Sequence, residues 1–85
     1  MDFVFTESFY TVYEAISDAE ADLVDEAVRR LLRDHATGWA RQGRIEGDKG
    51  GAWIVALGSG SVDLSLYWDY HDDVTLVLLA LVIRR

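Results

Sequence analysis

Val62-Asp63-Leu64-Ser65-Leu66-Tyr67-Trp68-Asp69-Tyr70 and, across His71-Asp72-Asp73, Val74-Thr75-Leu76-Val77-Leu78-Leu79-Ala80-Leu81-Val82-Ile83 form the stretch that decides the fold. The first half alternates. Val62, Leu64, Leu66, Trp68 and Tyr70 fall on one face of a strand, and Asp63, Ser65, Tyr67 and Asp69 on the other. The second half is apolar on both faces, which predicts a strand that is central in its sheet or covered on both sides. His71-Asp72-Asp73 reads as the turn between them. Upstream, Trp53 to Leu57 predicts one more strand, joined to the alternating one by a Gly58-Ser59-Gly60-Ser61 turn. Three successive strands with short turns predict an antiparallel meander.

The first half of the chain supplies what covers it. Phe3-Val4-Phe5 reads as a short strand over Asp2 to Thr6. Thr6 is a natural N-cap, with Glu7 well placed in the first turn of a helix. Phe9, Val12, Tyr13 and Ile16 then repeat at the spacing of one buried helical face. Ser17-Asp18-Ala19-Glu20 has the form of a capping box and starts a second helix directly. Val24, Ala27, Val28, Leu31 and Leu32 give that helix its apolar stripe, and Leu23 widens it. Acids lie early and Arg29, Arg30 and Arg33 late, in the order the helix dipole favours. Asp25–Arg29 and Glu26–Arg30 are at ion-pair spacing, and Gly38 is a natural stop. Almost nothing joins the two helices, so a tight αα-hairpin is expected. Trp39 to Gly51 is rich in glycine and charge and reads as an exposed loop, with a short strand around Arg44 to Glu46.

The expected fold class is therefore α+β, an N-terminal strand and αα-hairpin packed on a mostly antiparallel sheet, β-α-α-β-β-β, as a single domain over residues 1–85. Eighty-five residues hold one core and not two. There is no cysteine, which excludes disulfides and thiolate metal sites. The longest apolar run, Leu76 to Ile83, is eight residues, whereas a membrane helix needs about 20. No basic, then apolar, leader opens the chain, so a soluble, cytoplasmic protein without a membrane partner is expected.

Eight basic residues face fifteen acidic ones, for a net charge of −7. Such a chain repels a phosphate backbone at long range and is a poor non-specific nucleic-acid binder. The basic residues nonetheless gather in three places: Arg29, Arg30 and Arg33; Arg41, Arg44 and Lys49; and Arg84 and Arg85.

The order of elements resembles the RelE/ParE toxin superfamily of toxin–antitoxin systems. Phe3-Val4-Phe5-Thr6 is similar to that family's opening strand running into its first helix. Arg44-Ile45-Glu46-Gly47 followed by Ala52-Trp53-Ile54-Val55 resembles its basic loop and tryptophan-bearing strand. Leu66-Tyr67-Trp68 followed by Asp72-Asp73-Val74-Thr75-Leu76-Val77-Leu78-Leu79 resembles its last hairpin. The resemblance implies a small toxin that cleaves mRNA on the ribosome or acts on gyrase, and that a bound antitoxin neutralises. It also implies that basic side chains of the loop and strands do the work. Arg41, Arg44, Lys49, Arg84 and Arg85 are the candidates here, without metal or cofactor. The chain differs from the family pattern in its acidity, and in offering Asp63 or Leu64 where many members carry arginine. It also ends at Arg85, where members often place a final tyrosine or histidine.

Each candidate has a plainer reading. Arg41, Arg44 and Lys49 read equally as surface charges of a loop that Glu46 and Asp48 offset. Arg84 and Arg85 read as charges that protect the end of an apolar strand. His71, beside Asp72 and Asp73, is a possible acid/base in what reads first as a turn. Ser59 and Ser61 lack the lysine and helix of a phosphate loop. His35 fits a helix C-terminus on structural grounds alone. Trp39, Trp53, Tyr67, Trp68 and Tyr70 fit core packing and a protein interface better than nucleic-acid stacking. The second functional expectation is accordingly a non-enzymatic interaction or oligomerisation module, binding another protein or itself through the sheet.

Overall fold

Period-2 and period-3.6 patterning becomes an α+β layer structure in the computed structural model, which describes residues 1–48, 50–58 and 63–84. The chain runs β1 (Asp2–Phe5), α1 (Glu7–Ala15), α2 (Asp18–Asp34), β2 (Gly43–Gly47), β3 (Gly50–Ala56), β4 (Asp63–Asp72) and β5 (Thr75–Arg84). These strands form one five-stranded sheet in the order β1-β5-β4-β3-β2. The β1–β5 pair is parallel and the other pairs are antiparallel. The expected order gains one strand: the short segment around Arg44 to Glu46 is β2, hydrogen-bonded to β3. Gly50, at φ +115°, lets the chain reverse into β3 in a conformation that costs only glycine little. Most of the Gly58–Ser61 turn, and Val62, lie outside the described residues.

The caps form as their residues dictate. Thr6 Oγ1 accepts from Phe9 N at 3.1 Å and starts α1. Ser17 and Glu20 make the reciprocal capping box that starts α2. Gly38 does not end that helix: α2 stops at Asp34, whose carbonyl accepts from both Thr37 N and Thr37 Oγ1. The ion pairs also shift by position. Arg29 pairs with Glu26 at 2.7 Å and Arg30 with Asp34 at 3.7 Å, while Asp25 Oδ1 accepts from Tyr13 Oη at 2.7 Å. Leu23 is exposed and lies off the buried stripe.

The helical hairpin covers one face of the sheet. Phe9, Val24, Val28 and Leu31 meet Val55, Leu64, Leu66, Trp68, Leu76, Leu78 and Leu81 in the core. Each such side chain, fully buried, contributes about 1.5–3 kcal/mol. β5 is indeed central. Its double-sided apolar run hides a change of phase: Tyr67 pairs with Ala80 but Trp68 with Leu78, leaving Leu79 as a bulge. Leu76 and Leu78 face the helices before it, and Leu81 and Ile83 after it. Thr6 Oγ1 donates to the bulged Leu79 carbonyl at 2.6 Å and Thr6 N to Leu78 O at 3.1 Å, which clamps the β1–α1 junction onto the sheet.

Candidate functional site

Trp68 fixes the site from beneath. Its indole is fully buried, and Nε1 donates to Ala40 O at 2.8 Å. This bond pins the connection between α2 and β2 against the sheet, and with it Arg41. From there the Arg41 Nε donates to His35 O at 3.1 Å, and Nη2 donates to Tyr70 Oη at 2.7 Å. Tyr70 Oη is also 2.8 Å from His35 Nδ1, with the two rings edge to face. The C-cap of α2, the following connection and β4 thus converge on one phenolic oxygen.

Arginine and aromatic rings complete the cluster. The Arg41 guanidinium lies 5.0 Å from the Trp53 ring centroid and that of Arg44 lies 4.6 Å from it. Trp53 pairs with Arg44 on β2 and with Trp68 on β4, so these side chains share the helix-bearing face. Glu46 Oε1 accepts from Arg44 Nε at 2.7 Å and offsets one of the two charges. Tyr70 is about one-third exposed and Arg41 and His35 are half-buried, so an incoming group can reach them.

Chemically, Tyr70 Oη can accept from Arg41 and from a His35 that carries its proton on Nδ1. That arrangement uses both lone pairs of the oxygen. It leaves the phenolic hydrogen and the second imidazole nitrogen unused within the cluster, a paired acid and base beside two guanidinium groups.

Of the expected site residues, the fold brings together Arg41 and Arg44. Lys49 and Arg85 lie outside the described residues. Arg84 stands elsewhere. It pairs with Asp63 at the start of β4, seven residues from Tyr70, a separation of roughly 23 Å along the strand. There it lines a cavity of about 180 Å³ with Asp63, Ser65, Tyr67 and Val82, on the face away from the helices. The basic group of α2 is occupied locally: Arg29 with Glu26, Arg30 and Arg33 both with Asp34, and Arg30 also 4.1 Å over the Trp39 ring. His71 and Asp72 extend β4, and the turn is Asp73-Val74. Asp72 Oδ1 accepts from Val74 N at 2.9 Å, and this bond, with help from Thr75, holds its carboxyl below the usual range.

Sequence reasoning missed Tyr70 and His35 as partners of the basic loop. Their separation of 35 residues leaves no local signal; only the pairing of β4 against the α2 terminus creates the site. Among the described residues, no three His, Asp or Glu side chains converge as a metal-binding set, and no helix is long and apolar enough to cross a membrane. The chain matches no known family, no characterised protein and no solved structure.

Proposed function

We propose that this chain is a toxin-like component of a type II toxin–antitoxin pair, cleaving RNA at the Arg41–Tyr70–His35 cluster and neutralised by a bound antitoxin. The observation that carries this reading is the convergence of Arg41 Nη2 and His35 Nδ1 on Tyr70 Oη, at 2.7 and 2.8 Å, beside Arg44. Attack of a ribose 2′-hydroxyl on its own phosphate needs a base, a cation for the developing charge and an acid for the leaving oxygen. In this reading the second imidazole nitrogen of His35 takes the 2′-hydroxyl proton. Arg41 and Arg44 hold the phosphate, and Tyr70 gives its proton to the departing 5′-oxygen. The P–O5′ bond breaks as the 2′-O–P bond forms, giving a 2′,3′-cyclic phosphate and a 5′-hydroxyl. The phenolate left behind lies between the Arg41 guanidinium and the His35 imidazolium, whose Nδ1 proton restores it.

The test is induced expression together with incubation of the purified chain with single-stranded RNA. Growth arrest and 2′,3′-cyclic phosphate ends are expected. Tyr70→Phe and Arg41→Ala should each lower cleavage at least 100-fold at unchanged thermal stability. Arrest that persists in both variants, or the absence of cyclic ends, would sink the RNA reading. A second reading, a protein-interaction module without catalysis, is favoured by a different observation: an aromatic groove at the opposite edge of the sheet.

A further inference from the structure

At the β1 edge the sheet ends on open backbone. Asp2 N donates to Val74 O at 2.9 Å and Thr6 N to Leu78 O at 3.1 Å. Strand groups alternate, so Asp2 and Val4 turn their amides and carbonyls toward β5, as Thr6 turns its amide, and Phe3 and Phe5 turn theirs outward. The strand is terminal in the sheet. Its side chains are open too: Phe3 is 42% exposed and Phe5 51%.

Beside this edge, on the helix-bearing face, runs an apolar groove of about 320 Å³ between β1 and the helices, lined by Phe3, Phe5, Phe9, Tyr10, Tyr13 and Leu32 among others. Phe5 stacks on Tyr10 at 5.5 Å and Phe9 on Tyr13 at 5.9 Å, so the wall is a run of packed rings. The rim is acidic. Asp25 lines the groove, with one oxygen held by Tyr13. Asp22 stands one turn before Asp25 on α2, and Glu14 one turn after Tyr10 on α1. Both tyrosines are held in their neutral form to higher pH than usual, chiefly by the neighbouring carboxylates, Glu14 for Tyr10 and Asp25 for Tyr13. The one arginine in the lining, Arg29, is already paired with Glu26.

We propose that β1 accepts an added strand: an extended, basic segment of another protein, with apolar residues at alternate positions and lysine or arginine at its ends. Its backbone pairs with the outward groups of Phe3 and Phe5. Its apolar side chains enter the groove, and its cations meet Asp25, Asp22 and Glu14. Charge selects this occupant over a second copy, because each copy brings a net −7 and the same acidic rim. The inference stands independently of RNA cleavage.

The experiment uses the full chain, isotope-labelled, and three synthetic ten-residue peptides. One alternates valine with threonine over six central residues between paired lysines at each end; one replaces each lysine by glutamate; one replaces a central valine by proline. In the free protein the amides of Phe3 and Phe5 should exchange with solvent much faster than that of Val4. The lysine peptide should slow both and shift resonances of β1, α1 and the first half of α2. It should bind at least tenfold tighter than the glutamate and proline peptides and weaken with salt. Phe5→Lys should reduce its binding at least tenfold without lowering the melting temperature. Equal binding of the glutamate peptide overturns the proposal, as does no detectable binding of the lysine peptide at millimolar concentration. Sedimentation as a dimer that Phe5→Lys abolishes would assign the edge to a second copy instead.

Discussion

The two edges of the sheet are built on opposite principles. β2, Gly43–Gly47, carries alternating charge at Arg44 and Glu46, and its inner neighbours are a cation–aromatic cluster pinned by the buried Trp68. β1, Asp2–Phe5, carries Phe3 and Phe5 and lies beside an aromatic groove. Charges on an edge strand discourage pairing with another chain, whereas an apolar edge invites it. The contrast sets apart the two proposals for this small sheet: polar chemistry at the β2 side and main-chain recognition at the β1 side.

The largest effect should come from the residue that anchors the β2 side. Trp68→Ala removes a fully buried ring and orphans the Ala40 carbonyl. A loss of about 3–5 kcal/mol is expected, measured by urea unfolding, enough to unfold many domains of this size. Gly51→Ala sharpens the comparison with a smaller perturbation. A Cβ there would stand 2.8 Å from Ile45 O and would also press on the Arg44 guanidinium. About 1–3 kcal/mol should be lost, with chemical-shift changes confined to β2, β3 and the Arg41 cluster. Shifts reaching Phe3 or Phe5 would show that the edges are not independent.

The mirror perturbation acts on the β1 side. Thr6→Ala deletes the α1 cap and the bond to Leu79 O and should cost about 1 kcal/mol. Hydrogen exchange should quicken in β1 and α1 and stay unchanged at Tyr70. The smallest effect concerns acid. The Asp72 carboxyl is held below its ordinary value, first by the Val74 amide, so its folded form favours the ionised state. Its contribution is present above the ordinary carboxylate range and is lost as pH falls through the lowered folded value. Asp72→Asn should therefore lower stability slightly near neutrality and flatten the acid limb, the two profiles converging as pH falls through the lowered folded value.

How far the sequence carried can be argued from particular residues. Thr6, Ser17 and Glu20 announced their caps because cap chemistry is local, and the alternation from Leu64 to Trp68 named the buried face of β4 correctly. The phase change at Leu79 was invisible, since a run of leucine, valine and alanine reads the same in either register. Gly38 misled because Thr37 supplied the helix stop first. At the site, Arg41 and Arg44 were legible as a basic loop, but Tyr70 and His35 were read as strand and helix end. Their meeting depends on tertiary packing, as does the groove formed by Phe3, Phe5 and the helices.

The bulge at Leu79 is in effect a parity switch. Counting by twos from Leu76 along a regular strand reaches Arg84, which would then face the helices, the side that bears the Arg41 cluster. One extra residue breaks the count. Ile83 takes the helix side, and Arg84 faces the other way, opposite Asp63. The frame of a single strand thereby decides which side of the molecule receives its final described charge, whatever the identity of the residues in between.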